Sequence, residues 1–249
     1  QVANLRGDHE GAEQMFWEDL LIERDISNYP AFAWAHLQLA ETNCWRGRLD
    51  MAEEHARQAW DIYERLGDPC RVGTALRVLA EVSLERGDLN EAERWLREAE
   101  SAAARSSDAP GLAWGRYLTA RLAQKRGRLR DAELSLREAL HRSRGSQDSG
   151  VVDWGRLLEA QIALQKGETA RAKRALREAL RSGRGANLAP VLLECGLVWA
   201  QLAAQKGDFL EAVEWAEAVG RWSLPDTAWA RKAVLLREEW EARLEEEER

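Results

Sequence analysis

Trp34, Trp114 and Trp154 share one phase of a 40-residue step, with Thr74 and Glu194 at the same phase between and after them. Three residues on stand Leu37, Arg77, Tyr117, Leu157 and Leu197, and four further on Glu41, Glu81, Arg121, Gln161 and Gln201. Trp45, Glu85, Lys125, Gln165 and Gln205 close the row. Indole and phenol faces interleaved with Arg, Glu and Gln stack against flat or sugar-like ligands and hydrogen-bond their rims. The chemistry is that of recognition. Trp34, Glu41, Arg77, Glu81, Trp114, Tyr117, Arg121, Trp154 and Gln161 are the candidate ligand-binding residues.

Catalytic and metal-binding patterns are missing from the chain. There is no Walker A sequence, no complete G-x-G-x-x-G, no H-E-x-x-H and no C-x-x-C. Gly183-Arg184-Gly185 lacks a third glycine and follows a helical pattern. His9, His36, His55 and His141 fall at unrelated phases and read as surface or packing residues. The expectation is a binding protein and not an enzyme, with no cofactor and no metal. Cys44, Cys70 and Cys195 are too few and scattered for a disulfide framework, which suits a reducing cytoplasm. A net charge of −7 argues against direct nucleic-acid binding by this segment, although a local basic patch stays possible. No run of eighteen apolar residues spans a membrane.

A regular set of elements must hold such a row. Basic-Gly-polar steps occur at Gly7, Gly47, Gly87, Gly127, Gly167 and Gly207. Five residues past each glycine stands Ala12, Ala52, Ala92, Ala132, Ala172 or Ala212, and upstream lie Ala40, Ala80, Ala120, Ala160 and Ala200. A positive φ is cheap at glycine, so one helix ends there and the next begins directly. The alanine columns let helices cross closely. Pro30, Pro110 and Pro190, with Pro69 one residue off phase, suit the first turn of the following helix. Arg6-Gly7-Asp8 and Arg86-Gly87-Asp88 are therefore turns and not adhesion motifs. Arg94 with Glu98 and Glu133 with Arg137 are expected as i,i+4 pairs on solvated second helices.

At about 100° per residue, Phe32, His36, Leu39, Ala40 and Asn43 form the core stripe of one helix, with Trp34, Leu37, Glu41 and Trp45 roughly opposite. Trp60, Trp95, Trp199 and Trp215 fall at other phases and read as core or convex-face packing. Packing of a neighbouring repeat remains the alternative for Trp114 and Trp154. After Pro225, the stripe Trp229, Ala233, Leu236, Trp240 and Leu244 predicts a capping helix over about 226–247.

The Gly, the Ala five residues later and Ala59, Ala99, Ala139 and Ala179 seven further on resemble the tetratricopeptide repeat, with Leu39-Ala40 and Leu79-Ala80 in place of its Leu-Gly. The departures are a period of 40 and not 34, and Asn43, Ser83 and Ala123 where an aromatic is usual. The resemblance implies an all-α, right-handed superhelical solenoid of about six hairpins over 1–249, a single domain with first helices lining a concave groove. The longer repeat and its Gly-Asp-Leu step resemble the sensor region of MalT-like, LuxR-family, STAND-class transcriptional activators. That implies excision from a larger protein and cytoplasmic signal transduction. It also implies an inducer or inhibitory protein on the concave face, and an ATPase module as the intramolecular partner. A general scaffold for protein or peptide binding is the alternative.

Overall fold

The computed structural model describes residues 9–25, 28–144, 150–186, 189–223 and 227–247. All regular elements among them are α-helices: α1 (His9–Asp25), α2 (Tyr29–Trp45), α3 (Leu49–Leu66), α4 (Pro69–Arg86), α5 (Leu89–Arg105), α6 (Ala109–Lys125), α7 (Leu129–Arg142), α8 (Gly150–Gln165), α9 (Thr169–Ala186), α10 (Ala189–Ala204), α11 (Phe209–Trp222) and α12 (Ala228–Glu247). The turn expected at Gly7 lies outside the described residues. The chain gathers into two compact units, residues 9–155 and residues 156–249.

The turns explain the helix order. Gly47, Gly87, Gly127, Gly167 and Gly207 all take φ between 71° and 93°, the left-handed region that ends a helix. The amide after each glycine donates back to a carbonyl five residues earlier: Arg48 to Asn43 (2.8 Å), Asp88 to Ser83 (2.9 Å), Arg128 to Ala123 (2.9 Å). That closure satisfies carbonyls the helix end would leave bare. The opposite loops are fixed by proline and aspartate. Pro69 opens α4 and Pro110 opens α6, where the Asp68 and Asp108 carboxylates accept from the Arg71 (3.1 Å) and Gly111 (3.0 Å) amides.

In the first unit, helical hairpins α2–α3, α4–α5 and α6–α7 follow α1. The extended contacts join each helix to the next, and also α2 to α4 and α4 to α6. The alanine columns lie at these crossings: Ala12, Ala40, Ala52, Ala80, Ala92, Ala120 and Ala132 are fully buried. Leu39, Leu79, Leu84 and Leu118 fill the space between, each worth about 1.5–3 kcal/mol of apolar burial. The Tyr63 hydroxyl donates to the Pro30 carbonyl (3.3 Å), tying the end of α3 to the start of α2.

In the second unit, α9, α10, α11 and α12 continue the alternation. Trp240 of α12 is buried against Ala200, Ala203, Ala212, Val213 and Ala216, with Leu236 and Leu244 alongside. The Trp229 indole donates to Glu194 of α10 (2.9 Å). The closing helix thus begins two residues after the expected start and turns its expected apolar stripe inward.

Candidate functional site

Because α2 touches α4 and α4 touches α6, residues one repeat apart on the first helices meet. Arg77 of α4 reaches back to Glu41 of α2 (3.5 Å) and along its own helix to Glu81 (3.9 Å). Arg121 of α6 reaches back to Glu81 (3.2 Å) and to Glu85. The chain of contacts is Glu41–Arg77–Glu81–Arg121–Glu85, alternating in sign over three consecutive first helices. Its side chains remain partly open to solvent, from Arg77 at 16% to Glu85 at 39%. Each pair by itself therefore contributes on the order of 1 kcal/mol of stability or less.

Trp114 joins this row. The Arg77 guanidinium lies 5.3 Å from its ring centre, a cation–π contact, and Tyr117 meets it edge-on with centroids 5.5 Å apart at 88°. Trp114 is half-buried.

Burial raises the Glu41 pKa, partly countered by Arg77 and reinforced by Glu81. Burial works against the Arg121 charge, but Glu85, Tyr117 and Glu81 outweigh it and raise its pKa. Behind the row, burial and then Glu81 and Glu85 push the Cys44 thiol well above the usual thiol range. A buried thiol held in that form is a poor nucleophile. The row offers fixed donors, acceptors and an aromatic face, which is recognition chemistry.

The candidate residues separate on this geometry. Glu41, Arg77, Glu81, Trp114, Tyr117 and Arg121 form one connected network. Tyr117, however, is buried, as are Leu37, Leu157 and Leu197 at the same phase. That position packs inward because each first helix is covered on two sides, by its own partner and by the neighbouring repeat. Tyr117 supports the Trp114 ring and does not line a free surface. Trp34 is half-buried with its ring edge-on to Phe16 of α1 at 5.9 Å, a packing role between repeats. Trp154, half-buried on the first turn of α8, and Gln161, in the second unit, are not part of the network.

Other expectations resolve locally. Trp95 is buried beneath the Arg94 and Arg57 guanidinium groups and against Trp60. Arg94 pairs with Glu91 (2.9 Å) and not with Glu98, while the Arg137 side chain donates to the Glu133 carbonyl. One buried contact had no signal in the repeat pattern: His36 and His55 join Nδ1 to Nδ1 at 2.9 Å. Among the described residues no cluster of three or more His, Cys, Asp or Glu could hold a metal, and no helix is long and apolar enough to cross a membrane.

Comparison with known proteins bears on the fold. Residues 31–105, which span α2 to α5, match the tetratricopeptide repeat family. No curated protein matches the chain in sequence. A Rap protein crystallised with competence and sporulation factor superposes with a TM-score of 0.60 at 12% identity, over 93% of this chain and 76% of that one. Aspartyl phosphate phosphatase F from Bacillus subtilis gives 0.57 at 14% identity, over 97% and 71%. BtubC (BKLC) from P. vanneervenii gives 0.54 at 17% identity, over 89% and 90%. At these identities the likeness is one of fold: an α-solenoid of tetratricopeptide-like helical hairpins.

Proposed function

We propose that the first-helix face of α2, α4 and α6 is a docking surface for a peptide or an extended protein segment. The observation that carries this reading is the continuous row Glu41–Arg77–Glu81–Arg121–Glu85 with Trp114 beside it. An extended chain brings amide donors and acceptors and charged ends at regular spacing. A row of alternating charge matches that spacing, and a half-exposed indole supplies the apolar anchor typical of binding hot spots. Support also comes from the Rap neighbour, whose structure holds a competence and sporulation factor on a fold of this kind.

The finer reading makes this surface the sensor of a STAND-class activator, where effector binding relieves restraint on an ATPase module. Its support is the 40-residue repeat and the tryptophan-rich phase of the first helices. A peptide array probed with the protein, beside a metabolite panel read by thermal shift, tests both. Peptide hits should weaken about tenfold or more with Arg77→Ala or Trp114→Ala, the scale of one central anchor. Hits indifferent to both variants would place binding elsewhere. Metabolite shifts that vanish in Trp114→Ala, without peptide hits, would favour the sensor reading.

A further inference from the structure

Three consecutive turns share a second rule, and the last turn reverses it. At Gly47, Gly87 and Gly127 the cation just before the glycine reaches the residue 33 positions earlier, on the second helix of the preceding repeat. Arg46 pairs with Glu13, Arg86 with Glu53 (2.6 Å) and Arg126 with Glu93 (2.8 Å). At the last turn the cation is Lys206, and 33 positions earlier stands Lys173. The acid has become a second cation. We propose that Lys173 and Lys206 form an oxyanion clamp in the second unit, built for a phosphomonoester, with Arg177 and Arg181 extending it along α9.

Three observations support the clamp. Lys206 stands near enough to Lys173 to lower its pKa, first through side-chain hydrogen bonding and then through charge. Glu211 is the acid that counters this, but neither lysine makes an ion pair among the described residues. Second, the site has a built wall. The Lys173 ammonium lies 5.8 Å from the Trp199 ring centre, and Trp199 stacks on Trp215 at 6.2 Å and 11°. Third, the cations continue. Arg177 and Arg181 follow Lys173 at four-residue steps on α9, exposed and without an ion pair among the described residues, while Arg171 is already held by Glu159 and Glu168. From Lys173 to Arg181 the stripe is about 12 Å long at 1.5 Å per residue. All this stands in a chain whose net charge is −7.

The chemistry selects the ligand class. Two ammonium groups this near repel, and a group bearing about −1.5 to −2 charges at neutral pH relieves both at once, as a phosphomonoester does. A phosphodiester carries only one charge. Free phosphate and a phosphorylated side chain share this chemistry, and the length of the stripe favours the second, with acidic residues flanking it.

The test uses the whole chain and four probes, read by titration calorimetry at fixed ionic strength: an acidic phosphoserine peptide, its unphosphorylated twin, inorganic phosphate and single-stranded DNA. The phosphopeptide should bind about tenfold or more tighter than its twin, the scale of one or two charge-assisted hydrogen bonds. Inorganic phosphate should compete with it; phosphate binding as tightly as the peptide would assign the clamp to a small phosphoester. Lys173→Glu and Lys206→Glu each put an opposite-charge pair here, as at the Gly47, Gly87 and Gly127 turns. Both should melt no lower than the parent and both should lose the phosphate preference. Equal binding of the two peptides, tighter binding of DNA, failure of phosphate to compete, or an unchanged preference in both variants would overturn the proposal.

Discussion

The His36–His55 pair has consequences that follow from proton counting. With Nδ1 facing Nδ1 at 2.9 Å, one ring must donate and the other accept, so the two rings cannot both be protonated. His36 Nε2 is buried with no partner, whichever tautomer it holds. Phe32 and Trp17 close the pocket edge-on, at 4.8 Å from His36 and 5.4 Å from His55. Burial, and then His55, lowers the His36 pKa from 6.5 to about 4. Burial also lowers the His55 pKa, partly countered by Glu54 and Glu13. The unfolded chain therefore takes up protons between pH 6.5 and 4 that the folded chain refuses. Stability is full above pH 6.5 and falls as pH drops through that window, by on the order of 2 kcal/mol. Urea melts at pH 7 and pH 4.5 should show the loss, and His36→Phe should show less of it. An equal loss in the variant would assign the acid sensitivity to other groups. The sequence held no trace of this pair, because His36 and His55 sit 19 residues apart at unrelated phases. The charged row was partly legible. The 40-residue register put Glu41, Arg77, Glu81 and Arg121 on the first helices. Which acid each arginine would choose, and that Tyr117 would turn inward, depended on how closely α2, α4 and α6 approach.

At the scale of elements, close approach is what the small residues provide, and it was legible wherever alanine formed a column. Gly196 on α10 belongs to no column, yet it marks a close crossing in the second unit. A Cβ added there would stand 2.5 Å from Val219 Cγ2 of α11, with Trp215 at 3.8 Å behind. Gly196 and Val219 are both buried, so neither the helix nor the methyl has free space to enter. Gly196→Ala should cost about 1–3 kcal/mol through overpacking, despite alanine's better helix propensity. Val219→Ala removes the obstructing methyl, and in that background the same substitution should cost much less or become neutral. Thermal melts of the four proteins in this cycle measure the coupling directly. Additive losses would mean that α10 moves as a whole and not against that one methyl. Sequence alone could not show this because a glycine within a helix reads first as a weak point. Only the partner helix reveals it as a contact.

At the scale of the whole molecule, a chain built from near-neighbour contacts should fail locally. Within the first unit the extended contacts run from each helix to the next or the next but one, so each hairpin senses only its neighbours. Stability in such an array is close to a sum of repeat and interface contributions, and disruption spreads as far as those interfaces are strong. Ala92 offers a clean probe. It is fully buried at the start of α5, and α5 packs mainly on α4 and α6. Ala92→Leu adds three heavy atoms where two backbones approach, and should destabilise by about 1–3 kcal/mol. Hydrogen exchange followed by mass spectrometry then reads where that energy goes. Amides in α4, α5 and α6 should lose protection, while those of α1 and α2 keep the parent's rates, because no extended contact joins those helices to α5. The response separates two kinds of molecule. A local loss is that of a solenoid whose repeats open individually, so that a ligand bridging α2, α4 and α6 would gain binding cooperativity by suppressing those openings. An equal loss over α1 to α7 is that of a single cooperative block, and the ligand would then act on a surface already rigid.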